Sequence, residues 1–592
     1  MVVAHTSALS LPLLFALLGA FDRVRGTGVD ALLNTSTKGL KSNFFDAFDI
    51  LNITVGGRLH KALPFERPCF SIVEGKHVNV SEAACAALQA NYTNPVYRVE
   101  HFGAYMLPQW ETCQASNFTN GCLLDSSNPS NPLAYEGVNC RLGNVPTHYI
   151  DVKYVEDVQA ALAFSALTGV RLSVKNKGHD YKGRSSGKNT LALWTTGLRD
   201  ISHDDSFTPE GCSLDTTYDT ITTGAGVVTQ DVYEYADGIN RTIIAGYHQT
   251  IGFSGGYFLG GGHSILSPVY GLAADRVVQV KVVTPDGIYR TANECQNQEL
   301  FFALRGGGGS AFGVVIESTH RTEPRFPVQA ASLKFTPTGT DLADWYSLLV
   351  NNSLQWANDG WGGHIVGPTL LHVTPLLNNS AAQASMQSAV DFVKARNGSV
   401  VIEELPSYLA FFNKYVTAAQ AAVGPELELG TRLLPSSFFS TDSGRAQLSA
   451  LIKDTLSFAS PYIVAGTPWL YKPLDGAAGE TSVTPAWRDA IWHLSIKWQF
   501  QYNDKLEERV EGYRTLSAHI QKFRDLTPGS GAYFNEGDVY EPDHENSYWG
   551  ADNYRRLLAV KRKYDPLHLL DCWQCVGWKG EDDDLYQCHI KL

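Results

Sequence analysis

Glycine placement is the strongest restriction on what this chain can fold into. The chain holds 53 glycines, and dense clusters fall between residues 141 and 324. They stand in "GHDYKGRSSG" from Gly178, "TTGAGV" from Thr222, "GFSGGYFLGGGHS" from Gly252 and "LRGGGGSAFG" from Leu304. Runs like these suit neither helix nor strand interiors, because glycine loses the most backbone freedom on folding. They suit loops where a backbone comes close to a ligand and successive N–H groups cradle an anion. The question is which ligand.

The segments between the loops set the framework. "YIDVKYVEDVQAALAFSALTGVRLSVKNKGHD" reads as strand, helix, strand, loop, with a helix expected over Asp157–Leu167. Val158, Ala161, Leu162 and Leu167 fall near helical spacing, and Gly169 is the expected stop. "DRVVQVKVVTPDGIYRTA" reads as a hairpin turning at "PDG". "NQELFFALRGGGGSAFGVVIESTHRTEP" reads as a short helix, a glycine loop and a strand. Residues 141–324 are therefore expected to form one α+β unit. Glycine thins out over 325–530, where "AAQASMQSAVDFVKARN" and "DKLEERVEGYRTLSAHIQKFRDL" read as helices and "AWRDAIWHLSIKWQF" as a strand, giving a second α+β domain. The remainder, 531–592, ends its helix at Asp565–Pro566.

Spacing excludes two nucleotide readings. A P-loop needs four residues between its glycines, but Gly183 and Gly187 are separated by three, and Lys188 is followed by Asn189 where the metal-binding hydroxyl belongs. No G-x-G-x-x-G occurs, so a Rossmann dinucleotide site is excluded. A flavin on another scaffold remains.

Here the chain resembles the FAD-linked oxidases of the vanillyl-alcohol oxidase and p-cresol methylhydroxylase type, and more closely their berberine bridge enzyme-like, secreted fungal branch. The resemblance rests on an ordered set: "GHDYKGRSSG", "TTGAGV", "GGYFLGGGHSILSPVYGLAADRVV", "LFFALRGGGGSAFGVV", "YFNEGD" and "YRRLLAVKRKYDP". It implies an α+β fold: a two-part FAD-binding domain, a substrate domain, and a C-terminal segment that returns to the FAD domain. It implies FAD bound covalently through its 8α-methyl group to His179, whose neutral imidazole is a nucleophile near pH 7. Some relatives add a second bond from a cysteine. That position is His248 here, so a single link is expected.

The same matching implies that Lys175, Asn176, Lys177 and Gly178 supply backbone amides to the pyrophosphate, with the lysines adding positive field. Gly224, Gly226, Thr250, Gly252, Gly255, Gly256, Gly260, Gly261, Gly262 and Val315 are assigned to the adenine half and the ring edge. Ile251 stands where the family gates oxygen, and its β-branched side chain resembles the oxygen-tolerant members. Asn535 is expected to hydrogen-bond the flavin pyrimidine. The implied chemistry is hydride transfer from an alcohol or secondary metabolite to flavin, with oxygen as acceptor and hydrogen peroxide as product. Base candidates are His493 and Lys497, which share one face of a strand, and Tyr533. The alternatives are an oligosaccharide oxidase, a flavin dehydrogenase, or a secreted binding glycoprotein without redox chemistry.

The flanks place the chain in the secretory pathway. "SALSLPLLFALLGAF" has the length of a signal-peptide core, giving residues 1–20 as the signal. Nine N-x-[ST] sequons occur, five of them before residue 120, which favours a glycoprotein. The ten cysteines are even in number and read as disulfides of unknown pairing; "CWQC" has no partner motif for zinc. Residues 21–140 are expected to be a loop-rich, glycan-bearing region with little regular structure. A net charge of −13 with no basic patch argues against nucleic acid. A monomer acting on a small molecule, with no resident metal and no membrane partner, is expected.

Overall fold

The computed structural model describes residues 46–118, 120–418 and 423–592. The expected signal peptide, the sequon at Asn34 and Thr119 of the Asn117 sequon lie outside them. The fold is α+β with two domains, joined by a C-terminal segment that runs back across the first.

The expected strand–helix–strand unit forms the first sheet. Strands His148–Asp151 and Leu172–Lys175 both pair in parallel with Leu191–Trp194, and helix Val155–Thr168 is the crossover. The helix begins where the Asp157 carboxylate accepts the N–H groups of Lys153 and Tyr154, at 3.0 Å each. An acid there also favours the positive end of the helix dipole. The helix stops at Gly169, whose φ of 76° suits glycine. Val158, Ala161 and Leu162 are buried against Ile150, Leu191 and Leu193. Leu167, expected on that face, is 39% exposed instead.

A second, antiparallel sheet runs Tyr289–Asn293, Val277–Val283, Val314–Arg321, Tyr218–Gly224, Ile201–Phe207. The "PDG" hairpin is its first pair. The substrate-side domain is built on a seven-stranded antiparallel sheet that includes Leu427–Pro435 and Ala490–Gln499. Alternation along Ala490–Gln499 divides its side chains. Trp492, Leu494 and Ile496 pack against helices Asp341–Asn358 and Leu506–Leu526, while His493 and Ser495 face the other way. The helix expected over 381–397 is in fact two, Asn379–Ser385 and Gln387–Lys394, meeting at Met386.

The N-terminal region is more regular than its composition suggests. Helices Ala47–Thr54, Glu82–Asn91 and Pro95–Val99 form, and strand Leu59–Lys61 adds an edge to the first sheet. Five disulfides pair all ten cysteines: Cys69–Cys85, Cys113–Cys588, Cys122–Cys140, Cys212–Cys295 and Cys572–Cys575. "CWQC" is thus a disulfide. At the other end, helix Ala551–Tyr564 buries Leu557 and Val560 against Phe301 and Phe302. Its buried Lys561 pairs with Asp565 at 2.7 Å and donates to the carbonyl of Ala311, fixing the glycine loop that precedes Val314.

Candidate active site

The loop carrying His179 leaves the carboxyl end of strand Leu172–Lys175, where open α/β sheets place their ligands. It borders a cavity of about 580 Å³ between the two domains, within the usual range for a cofactor or ligand site. One wall is formed by Asn176–Tyr181, His248, Ile251, Gly252, Gly255, Gly256, Gly260, Gly309 and Val315. The opposite wall presents His263, His364, Tyr462, Tyr533 and Glu536, and an apolar rim of Val366, Leu371, Val423, Pro425, Leu427 and Leu429.

His179 is held in a short relay. Its Nε2 lies 2.9 Å from Thr250 Oγ1, which lies 3.1 Å from His248 Nδ1. The backbone N–H of Thr250 also points at His248 Nδ1, at 3.3 Å, so that nitrogen is an acceptor. The Thr250 hydroxyl therefore donates to His248 and accepts from His179 Nε2–H. This pattern assigns the His179 tautomer whose Nδ1 carries the lone pair. Burial, with His248 beside it, holds the His179 imidazole well below its usual range, so it is neutral.

The loop is braced from the C-terminal segment. Arg184 pairs with Asp180 at 2.6 Å and donates to Asn535 Oδ1 at 2.7 Å, while Asn535 Nδ2 donates to the His179 carbonyl at 3.1 Å. The Asn535 amide is thus largely spent on positioning the loop. That differs from the expected contact with the pyrimidine, although Asn535 does line the cavity.

The remaining expected residues divide. Lys177 lines the cavity with Nζ on Thr196 Oγ1 at 2.6 Å, and burial lowers its ammonium to about 8. The Lys175 side chain turns the other way: its Nζ donates to the carbonyls of Phe102 and Ala104, so the ammonium anchors the N-terminal region. Gly224 and Gly226 pack against the carbonyls of Leu198 and Thr196, and Gly261 and Gly262 against Val483 and Tyr257. None of these four lines the cavity; they let neighbouring segments close in. Lys497 is exposed and lines no part of the cavity. Tyr533 lines the cavity, and His493 is buried beside it.

His493 and Tyr533 meet two residues not singled out from the sequence. Glu536 lies 3.3 Å from His263 Nε2 and 3.8 Å from His493 Nδ1. Burial pushes the Glu536 carboxyl up, but His263 and then His493 outweigh it, and the group ends below its usual range. Burial lowers His493 to about 4, against the pull of Glu536. The Tyr533 phenol is raised far above its usual range, by burial first and Glu536 second. Glu536 and His263 sit inside "YFNEGD" and "GGGHS", so a titratable group beside a glycine-rich motif was the available signal. His364 and Tyr462, hydrogen-bonded to each other, carried none.

Residues 146–293 match the FAD binding domain family, and residues 532–576 match the berberine and berberine-like family. The chain is 40% identical over 570 residues to the FAD-linked oxidoreductase ffsJ of Aspergillus flavipes, covering 90% of this chain and 92% of that protein. The chain belongs to the FAD-linked oxidoreductases of the vanillyl-alcohol oxidase and berberine bridge enzyme-like family. FAD-linked oxidoreductase OXR2 of Pyricularia oryzae is 39% identical over 552 residues, 91% of this chain and 93% of that one. Among solved structures, the VAO-type flavoprotein MtVAO615 of Myceliophthora thermophila C1 superposes with a TM-score of 0.77 at 26% identity, over 92% of this chain and 96% of that one. Glucooligosaccharide oxidase of Acremonium strictum, with its 6-S-cysteinyl, 8α-N1-histidyl FAD, shares the fold: TM-score 0.60, 20% identity, 73% of this chain and 92% of that one.

The cavity of this FAD-linked oxidoreductase fits the cofactor. Gly256 and Gly309 both line it, and a Cβ built on Gly256 meets nothing within 4 Å. A side chain there would stand in the space that the flavin needs. Asn176 Oδ1 is buried with no partner among the described residues. Neutral His179, Lys177 and bare backbone supply a nucleophile, a cation and close approach on one wall.

Proposed function

We propose that this chain is a secreted oxidase that takes a hydride from an alcohol or secondary-metabolite substrate, with molecular oxygen as final acceptor and hydrogen peroxide as product. FAD, when bound, supplies the hydride acceptor and hands the electrons to oxygen. The observation that carries the reading is the His179–Thr250–His248 relay, which leaves a neutral imidazole with its Nδ1 lone pair available at the cavity wall. His179 Nδ1 is the atom assigned to a single covalent bond with the 8α-methyl group. The absence of a thiol at His248 supports one link.

The residues opposite perform the proton work. Glu536, ionised beside His263 and lining the cavity, accepts the proton of the substrate hydroxyl, with neutral His493 buried behind it. Tyr533, kept as a phenol, donates a hydrogen bond to the same oxygen. The apolar rim receives the rest of the substrate and keeps water out, strengthening these contacts. Ile251 borders the cavity with a β-branched aliphatic, which supports oxygen reactivity. Five disulfides and the sequons support passage through the secretory pathway of a monomer. Among the described residues, no helix is long and apolar enough to cross a membrane.

The test begins with colour. Purified protein is expected to be yellow, and the yellow to stay with the acid-precipitated chain. Screening alcohols with peroxide detection then identifies the substrate. A colourless protein would sink the oxidase reading, and reduced protein inert to air would replace it with a dehydrogenase.

A further inference from the structure

The substrate end of the cavity holds a constellation that proton transfer alone does not explain. His493 is fully buried, yet neither of its ring nitrogens makes a hydrogen bond to any described residue. A buried polar group left in this way costs roughly 1–3 kcal/mol. The nearest candidate partner, Glu536 Oε2, stands 3.8 Å from Nδ1, too far for a hydrogen bond. Glu536 Oε1 is 3.3 Å from His263 Nε2. One donor atom from each of these three residues lies within 4.8 Å of the others.

We propose that His263, His493 and Glu536 bind one divalent transition-metal ion, zinc above others, with an open position facing the cavity. Zinc holds imidazole and carboxylate ligands at about 2.0–2.2 Å, so two ligands on a tetrahedron stand roughly 3.3–3.5 Å apart. The observed 3.3 and 3.8 Å separations, each to a different oxygen of Glu536, lie near this range. The widest separation in the trio is within 4.8 Å, so closing onto one ion needs side-chain shifts of up to roughly an ångström. A hydrogen-bonded pair would account for His263 and Glu536 but would leave His493 bare. A central ion gives all three a partner.

The ligand chemistry selects the class of ion. Two imidazoles and one carboxylate suit zinc or its transition-metal neighbours, whereas calcium and magnesium favour oxygen ligands. Three protein ligands with an open fourth position is the pattern of zinc sites that take a substrate or water. The anchors are firm. His493 comes from the interior of strand Ala490–Gln499, His263 follows the Gly260–Gly262 turn, and Glu536 lies in the braced C-terminal segment. The side chains of His263 and Glu536 are 11% and 15% exposed, and both line the cavity, so the ion has an entry path. An ion here would bind a substrate hydroxyl, carbonyl or enolate oxygen. It would favour the deprotonated form, with the released proton going to water at the cavity mouth. Ion binding goes beyond the oxidase reading and does not need the flavin, but it replaces one part of that reading: with the ion bound, Glu536 and His493 are ligands, and water takes the substrate proton in place of Glu536.

The test uses full-length, flavin-loaded protein expressed through a secretory host. The protein is exposed to zinc, freed of excess by desalting, and measured for metal by mass spectrometry and for flavin by absorbance. Wild type is expected to keep roughly one zinc per chain, to lose it to a chelator and to regain it on zinc addition. His493→Phe and Glu536→Gln are each expected to drop zinc at least about tenfold with flavin content unchanged, while Lys497→Ala keeps it. Where a variant fails to fold, zinc K-edge absorption of the wild type reads the ligands directly, and two imidazoles plus oxygen are expected. The proposal is overturned by flavin-loaded wild type that retains no zinc, by zinc held equally in the ligand variants, or by sulfur or all-oxygen coordination.

Discussion

On the wall proposed for the cofactor, backbone lines the cavity: Gly252, Gly256 and Gly309 stand in compact loops, and Gly256 opens onto empty space. On the wall proposed for the substrate, side chains line it: His263, His364, Tyr462, Tyr533 and Glu536 arrive from several separate stretches of chain. A cofactor common to a family can be held by unvarying peptide groups. A substrate particular to one member must be read by side chains, which can change without disturbing the loops. The division explains why the first wall could be recognised as sequence motifs and the second could not.

His179 is the exception on the backbone wall, and the largest effect is expected there. His179→Ala should abolish acid-stable yellow in the precipitated chain, and Thr250→Val, which breaks the relay, should slow its appearance in a reconstitution time course. If the yellow stays acid-stable in His179→Ala, attachment lies elsewhere. On the other wall, Glu536→Gln keeps the shape and removes the charge. It should lower turnover by about 10²–10³-fold with flavin content unchanged, read by peroxide release. A variant losing flavin instead would erase the distinction between the walls. Next, Gly256→Leu in the His179→Ala background should weaken FAD binding about tenfold or more, by filling space where backbone now lies bare; fluorescence titration measures it. Unchanged affinity would show that the glycine is only a turn former.

The smallest effect concerns acid. His320 and His372 are pushed down to about 3, and His589 to about 4, by burial. An unfolded histidine binds its proton near pH 6.5. Between that value and the folded ones, the unfolded chain holds more protons, so stability rises with pH across this window and falls as pH drops through it. His372, whose ring nitrogens have no hydrogen-bond partner among the described residues, is the cleanest probe. His372→Phe should remove on the order of 2 kcal/mol of the loss between pH 7 and 4.5, read from thermal melts at each pH. An unchanged pH slope would mean that His372 does not contribute.

The legible part of the fold was local. Gly169 ended its helix, "PDG" turned its hairpin, and alternation put His493 and Ser495 on one face of a strand, because each depends on neighbours within a few residues. The side-chain partners of Lys175 were hidden for the same reason. Among glycines its ammonium was expected to add positive field near the pyrophosphate, and its partners are the carbonyls of Phe102 and Ala104, in a region whose composition gave no hint of order. The meeting of His263, His493 and Glu536 depends on two domains closing on a returning tail, and no spacing rule spans that distance.

The Cys113–Cys588 bond joins residues 475 apart. Near its first half stands Trp110, which donates to the Tyr181 carbonyl at 2.9 Å and packs by Gly183 in the His179 loop. Its second half neighbours His589, whose ring lies 4.9 Å from that of Trp110. Ribosomes deliver Cys113 first, and Cys588 only 475 residues later. The floor beneath His179 is therefore completed only after the strands of both large sheets have been made, and a Cys588→Ser chain would keep every glycine loop yet carry Cys113 as an unpaired thiol beneath the His179 loop.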